Sequence, residues 1–474
     1  MRIVFVGSEA TPFAKTGGLA DVLGSLPQAL AKRGLDVELI LPMHRTIKRQ
    51  YLDQATFLEA FEIPIHTKQE YVGVYQLTHG KVKITLIDND YYFGARDTLY
   101  GHYDDGERYG YFNQAVLATI DKRKIYPDIL HLHDWQTGLI PFYLDTQYQT
   151  NLAFASVKTV FTIHNIAYQG HFDTGVLPYL NAPEDARLMF DGHVNFLKTG
   201  IATADRVTTV SKTYAEELMH EAYAEGMHTV LNVRRRDFIG IMNGIDPEQF
   251  DPRRDSDIAH NYGLNNYVQG KRENKQTLID AFNLVEEDTP LIGVVSRLTE
   301  AKGFPIVEGV LEKFLENRHL RFVLLGSGEA DIEGYFDALS RHYPSRVAVH
   351  FGYSDALARQ IYAASDFFLM PSRTEPCGLA QLIAMRYGTL PIVHETGGLK
   401  DSVLPYNKYT HDGTGFSFFD YTPEALSSVL QHALALYRDT KRHRQLIRRV
   451  MKEDFGWDRS AMRYVRLYHD ILEA

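Results

Sequence analysis

Ile3-Val4-Phe5-Val6-Gly7 leads to Lys15-Thr16-Gly17-Gly18-Leu19-Ala20-Asp21, and Leu390-Pro391-Ile392-Val393-His394 leads to Thr396-Gly397-Gly398-Leu399-Lys400-Asp401. Each stretch is a short apolar run, then Thr-Gly-Gly-Leu, then a helix-period segment. A glycine turn between a buried strand and a helix is the repeating unit of a doubly wound α/β sheet. The helix N-terminus that it opens offers free N–H groups to an anion. Glycines there equally serve a tight strand-to-helix turn, so the echo alone leaves both uses open.

Similar apolar runs recur on either side. The first series falls at 3–7, 37–42, 127–133, 158–163, 206–211 and 238–242, and the second at 290–296, 321–326, 347–351, 366–371, 390–394 and 415–419. Each is rich in Val, Ile, Leu and Phe, as strands buried on both faces of a parallel sheet are. Amphipathic segments such as Ala358 to Ala364 and Glu424 to Tyr437 lie between them. The series break at Asn243-Gly244-Ile245-Asp246-Pro247, which is turn chemistry. The expected organisation is a Rossmann-like domain over 1–243, a linker over 244–262, a second Rossmann-like domain over 263–455 and a final helix over 456–474. On that helix Trp457, Ala461, Tyr464, Val465, Tyr468, Ile471 and Leu472 share one face, predicted to pack across the domain junction. Tyr71 to Leu86 alternates differently and reads as a hairpin insertion. Pro27 interrupts a helical stretch from Leu19 to Arg33, so a kink or restart is expected there.

The chain has 474 residues, 45% hydrophobic and 23% charged, which excludes disordered and fibrous classes. Sixty acidic against fifty basic residues give −10, so no nucleic-acid partner is expected. Cys377 is the single cysteine and cannot form an internal disulfide, which fits a cytoplasmic location. The N-terminal apolar run meets Glu9 at once and shows no targeting signal. No apolar stretch is long enough to span a bilayer, so no membrane association is expected.

Polar groups collect where the predicted strands end, the place where α/β sheets bind ligands. Lys15 with Gly17 and Gly18 can cradle a phosphate. Arg297 and Lys302, five residues apart after the strand at 290–296, can converge on a diphosphate, or can be ordinary surface charge. Glu375 lies between the strand at 366–371 and a helix beginning near Gly378, where it either faces a ligand or caps that helix. Cys377 reads as a packed thiol, because no nucleophile partner set accompanies it. His131 and His133 share a strand face, but no third ligand stands at metal spacing, so packing is the preferred reading. Gly326-Ser327-Gly328 is half a dinucleotide fingerprint and reads as a turn.

Seven short motifs occur in order: Lys15 to Val22, His133-Asp134-Trp135, Thr162 to Gly170, Asn243 to Asp246, Ser296 to Gly303, Glu375 to Leu379 and Tyr387 to Pro391. With them the chain resembles, over its whole length, the bacterial glycogen synthase family, ADP-glucose-dependent relatives of the starch synthases. The resemblance implies the GT-B arrangement, two Rossmann-like domains with an interdomain cleft. It implies transfer of glucose, with retention, from ADP-glucose to the non-reducing-end 4-OH of an α-1,4-glucan such as glycogen or maltooligosaccharides. It implies no cofactor and no metal. It assigns Glu375, His164 and Asp134 to catalysis. It assigns Lys15, Gly17, Gly18, Trp135, Asn165, Arg297, Lys302, Tyr353, Cys377, Gly378 and Leu379 to the donor, with Tyr353 stacking on adenine. Ala380 stands where some members have threonine, and Lys400 where alanine is common. Retention by two displacements would use a carboxylate nucleophile, for which Glu375 is at hand. The family is held to use front-face substitution instead, and the sequence leaves both routes open. Eight tyrosines between Tyr71 and Tyr111 offer aromatic faces to an acceptor glucan or pack on their own domain.

Overall fold

The β-branched runs form buried strands because parallel strands are covered on both faces by their own crossover helices. The computed structural model describes residues 1–317 and 319–473. Contacts divide it into two units, Met1–Asn243 with Trp457–Ala474, and Gly244–Gly456.

In the first unit the strands are β1 (Arg2–Val6), β2 (Asp36–Pro42), β3 (Thr56–Ile65), β4 (Lys68–His79), β5 (Val82–Asp88), β6 (Ile129–His133), β7 (Lys158–Ile163), three short strands β8 (His171–Phe172), β9 (Met189–Phe190) and β10 (His193–Asn195), then β11 (Arg206–Thr209) and β12 (Phe238–Gly240). The main sheet runs β12-β11-β7-β6-β1-β2-β5-β4-β3, and the short strands form a sheet of their own. All pairings in the main sheet are parallel except those of β4, which runs antiparallel to β3 and β5. The stretch from Tyr71 to Leu86 is therefore a hairpin, as its alternation implied, but not an insertion. Its second strand, β5, also pairs in parallel with β2 and belongs to the central sheet.

The second unit holds β13 (Leu291–Val295), β14 (Arg321–Gly326), β15 (Val347–Phe351), β16 (Phe367–Met370), β17 (Leu390–His394) and β18 (Phe416–Phe418) in the order β15-β14-β13-β16-β17-β18, all parallel. In each sheet the chain winds outward from a first strand, returns and winds the other way. The switch points lie between β1 and β6 and between β13 and β16. Connections diverge there, which opens a crevice at the strands' carboxyl ends.

Several expectations change. One helix, Gly18–Lys32, continues through Pro27 without restarting. Residues 244–262 are tied into the second unit: Tyr262 donates to the Tyr387 carbonyl at 2.7 Å, and the Tyr387 hydroxyl bonds Asp255. By contrast, the final helix returns across the junction as expected: Asp458–Leu472 belongs to the first unit, where Trp457, Ala461, Tyr464, Leu467, Tyr468 and Ile471 join the core beside Ile3, Phe5 and Leu30. Leu467 is buried in that face, whereas Leu472 is exposed.

Candidate active site

The first unit's switch point is lined by the loops after β1, β6 and β7. After β1 comes Glu9, buried at 3% exposure. Its carboxylate accepts the backbone N–H of Thr16 and, at 2.9 Å, the Thr16 hydroxyl. The Gly17 amide also bonds it, while burial holds its acidity below that of an ordinary glutamate. Glu9 thus staples down the loop that carries Lys15, Gly17 and Gly18. Lys15 pairs with Asp21 at 2.8 Å, and Gly18 is the first residue of the helix. Gly17 has extended backbone and nothing within 4 Å of where a Cβ would stand. Neither backbone conformation nor packing calls for glycine there.

The second echo differs. A Cβ on Gly397 would lie 2.0 Å from the Glu375 carbonyl oxygen, and one on Gly398 2.0 Å from that of Cys377. That pair serves close backbone packing, the turn reading. Gly326 and Gly328 likewise press on Ser296 and Leu298, so the half-fingerprint is a turn as well.

After β6, Asp134 adopts φ +58 and its Oδ1 accepts the His164 backbone N–H at 2.7 Å. Burial is the main influence on its carboxyl and pushes it up to about 7, against bonds from the His164 and Asn165 amides. Trp135 is packed edge-on to Tyr109 and Phe172, with its ring against Gly170. Asn165 turns its Oδ1 to the Ala167 amide at 3.0 Å. His164 is half-buried, and desolvation lowers its pKa to about 3. His131 and His133 are fully buried and held well below the ordinary range by desolvation. His131 bonds Tyr468 and Thr162, both at 2.7 Å, which is the packing role expected of it. Among the described residues no group of three or more His, Cys, Asp or Glu is placed to hold a metal ion.

In the second unit the loops after β13 and β16 are joined backbone to backbone. Arg373 N donates to the Ala301 carbonyl at 2.9 Å. Gly303, at φ +83, presses so closely on Pro371 that a Cβ would lie 1.9 Å from its carbonyl oxygen. This contact brings Lys302 Nζ to 2.7 Å from Glu375 Oε2, which also accepts the Ser372 hydroxyl at 3.0 Å. Glu375 is buried and Lys302 half-buried. The helix-cap alternative fails: the helix Ala380–Arg386 starts after Leu379 with no side-chain cap. Cys377 is buried, as a packed thiol should be. Gly378, at φ +69, shapes the turn, which Gln381 ties by donating to the Cys377 and Gly378 carbonyls at 3.1 and 2.9 Å. Arg297 is exposed in the loop after β13. Tyr353 stands beyond β15, away from the switch point; its ring is 67% exposed and its hydroxyl bonds Asp355. Of the tyrosine-rich segment, Tyr92, Tyr109 and Tyr111 are core, and Tyr91 and Tyr103 are exposed. Glu9, Ser372 and Gln381 escaped the sequence reading. Only the strand-end position of Ser372 signalled a role.

Two doubly wound units, each with charged groups at its switch point, are the fold elements of the GT-B class of glycosyltransferases. Residues 2–233 match the family described as starch synthase catalytic domain, and residues 275–452 match glycosyl transferases group 1. The chain is 44% identical to the glycogen synthase of Exiguobacterium sibiricum, over 99% of this chain and 98% of that protein. It is 44% identical to that of Caldicellulosiruptor saccharolyticus and 41% to that of Clostridium kluyveri, each over 100% of both chains. The catalytic domain of starch synthase IV from Arabidopsis thaliana, solved with ADP and acarbose, superposes with a TM-score of 0.92 at 33% identity, over 100% of this chain and 99% of that one. Sucrose-phosphate synthase from Thermosynechococcus elongatus shares the fold, with a TM-score of 0.63 at 18% identity. The chain belongs to the glycogen synthase family of glycosyltransferases.

Proposed function

We propose that the chain transfers glucose from ADP-glucose to the non-reducing-end 4-OH of an α-1,4-glucan, with retention. The observation that carries this reading is the Lys302–Glu375 pair at the switch point of the second unit, 2.7 Å apart. A cation and a carboxylate side by side suit a reaction in which a diphosphate departs while its sugar becomes cationic. Lys302 and Arg297 stabilise the charge growing on ADP, and Glu375 faces the charge growing on the sugar. Lys15 and the Gly17-Gly18 backbone are further donor ligands, and Tyr353 offers an open ring to the adenine. His164 orients the transferred glucose, and Asp134 holds the His164–Asn165 backbone. Trp135 supports that loop from beneath, and Cys377, Gly378 and Leu379 shape the turn against which the sugar lies.

The chemistry breaks the bond from C1 to the phosphate oxygen and forms one from C1 to the acceptor O4. The departing phosphate takes the O4 proton. Lys302 and Ser372 both donate to Glu375 Oε2 and hold the carboxylate in an electrostatic role. This favours the front-face route over a glucosyl-enzyme. No cofactor takes part in the scheme. A cytoplasmic location fits the lone buried Cys377. No described helix is long and apolar enough to cross a membrane. The test is incubation with ADP-[14C]glucose or UDP-[14C]glucose and glycogen. Label is expected in polymer from the ADP sugar, and absence of incorporation from either donor overturns the reading.

A further inference from the structure

His133 ends β6 and His164 follows β7, and the neighbouring strands bring His133 Nδ1 to 2.9 Å from His164 Nε2. The His133 ring is fully buried, with the Phe5 and His131 ring centroids 5.6 and 4.3 Å away. Its other nitrogen, Nε2, is enclosed and has no hydrogen-bond partner among the described residues. The remaining nitrogen of His164, Nδ1, is not enclosed in this way and is the one left for a ligand.

Two neutral rings that face each other nitrogen to nitrogen share one hydrogen, so two arrangements exist. If His164 Nε2–H donates, the proton of His133 sits on Nε2, a buried N–H with nothing to receive it. If His133 Nδ1–H donates, what is buried at Nε2 is a bare lone pair. Orphaned buried N–H groups are the rarer and costlier of the two. Protonation of both His133 nitrogens is opposed by burial beside His131 and His164.

We infer that His133 is a positioning residue that donates from Nδ1 to His164 Nε2 and thereby holds His164 in its Nδ1–H tautomer. The inference rests on the reading above that His164 meets the transferred sugar. His164 then presents a hydrogen-bond donor to its ligand and no lone pair. It can grip a hydroxyl oxygen of the glucose but cannot accept the proton of the attacking 4-OH, which leaves the departing phosphate as the base.

The first test needs no activity. Long-range 15N–1H correlation spectra of 15N-histidine-labelled protein, assigned with His164→Gln and His133→Asn, report which ring nitrogen carries the proton. Protonated Nδ1 and bare Nε2 on His164 are expected, and the reverse overturns the inference. The second test is kinetic. His133→Leu has no donor and should lower kcat about tenfold, the order of one neutral hydrogen bond. In His133→Asn the side-chain amide places an N–H near the lost Nδ1–H and should recover most of that rate. Equal losses in both variants overturn the donor role. If His133→Leu does not fold, the spectrum of the unmodified protein still decides. A spectrum as expected with no transfer from ADP-glucose would support the tautomer and remove the functional reading instead.

Discussion

Lys302 Nζ lies 2.7 Å from Glu375 Oε2 although 73 residues separate them. The two side chains reach each other because β13 and β16 are neighbours and the loops that follow are joined at Arg373–Ala301 and Gly303–Pro371.

Glu375→Ala should lower kcat about 10²–10³-fold, the usual loss for one preorganised electrostatic group, with little change in KM for ADP-glucose. Lys302→Ala should raise that KM as well as slow transfer, because the diphosphate is charged before the reaction begins. The double variant should lose less than the product of the single losses, since the groups are in contact. Steady-state kinetics on the three proteins check this, and a near-normal kcat for Glu375→Ala removes the carboxylate from the chemistry.

Gly303→Ala should cost about 1–3 kcal/mol for the left-handed backbone alone, with the clash against Pro371 added. Because this glycine sets the Lys302 loop, kcat should fall along with the melting temperature. Gly334→Ala is the control. It sits inside the helix Ala330–His342 with open space around it and should gain stability, by up to about 1 kcal/mol. Chemical denaturation and kinetics on both variants give the comparison.

Glu9→Gln keeps the shape of Glu9 but leaves a single acceptor oxygen for the Thr16 amide, the Thr16 hydroxyl and the Gly17 amide. The Lys15–Gly18 loop should loosen, and KM for ADP-glucose should rise about 5- to 10-fold, the equivalent of roughly 1 kcal/mol. An unchanged KM would show that the staple does not serve donor binding.

Burial pushes the Asp134 carboxyl up to about 7 in the folded chain, from the ordinary aspartate value of 3.8. Between those pH values the folded state keeps a proton that the unfolded state has lost. This carboxyl therefore subtracts stability as pH rises through that window, and the penalty is complete above about 7. His131, His133 and His164 have the opposite sign: their lowered folded values remove stability as pH falls below about 6.5. Subtracting Asp134→Asn from the parent cancels the histidines. The variant's relative stability should rise between pH 4 and pH 7, as urea denaturation across that range will show.

Activity should survive dialysis against EDTA. The proposed scheme already assigns Arg297, Lys302 and Lys15 to the leaving diphosphate, so an added ion would duplicate them. Complete loss restored by Mg²⁺ or Mn²⁺ would contradict this.

The buried parallel strands were legible because covering both faces leaves an unbroken apolar run, as in Phe322 to Leu325 or Ile392-Val393. The outer hairpin was harder. On β3 only Ile63 and Ile65 are fully buried, so its run alternates, and nothing in Val82 to Asp88 announces that β5 pairs on two sides. Charged residues at strand ends were visible as candidates, but their partners were not. The bonds of Glu9 to Thr16 and of His133 to His164 depend on the direction a side chain takes and on which strands lie together. Tyr468 appeared as one apolar contact on a helix face, yet its hydroxyl ends on His131, 337 residues away.

The helix Asp458–Leu472 completes the core of the first unit, although the whole of Gly244–Gly456 comes before it in the chain. A ribosome therefore finishes the second unit before the first one has all its parts. Until Tyr468 emerges, His131 lacks one of its two hydrogen bonds and the sheet beside Ile3 and Phe5 is missing part of its cover. Nascent chains released short of Trp457 should expose that apolar face to chaperones, and activity should appear in translation extracts only after the final helix has cleared the exit tunnel.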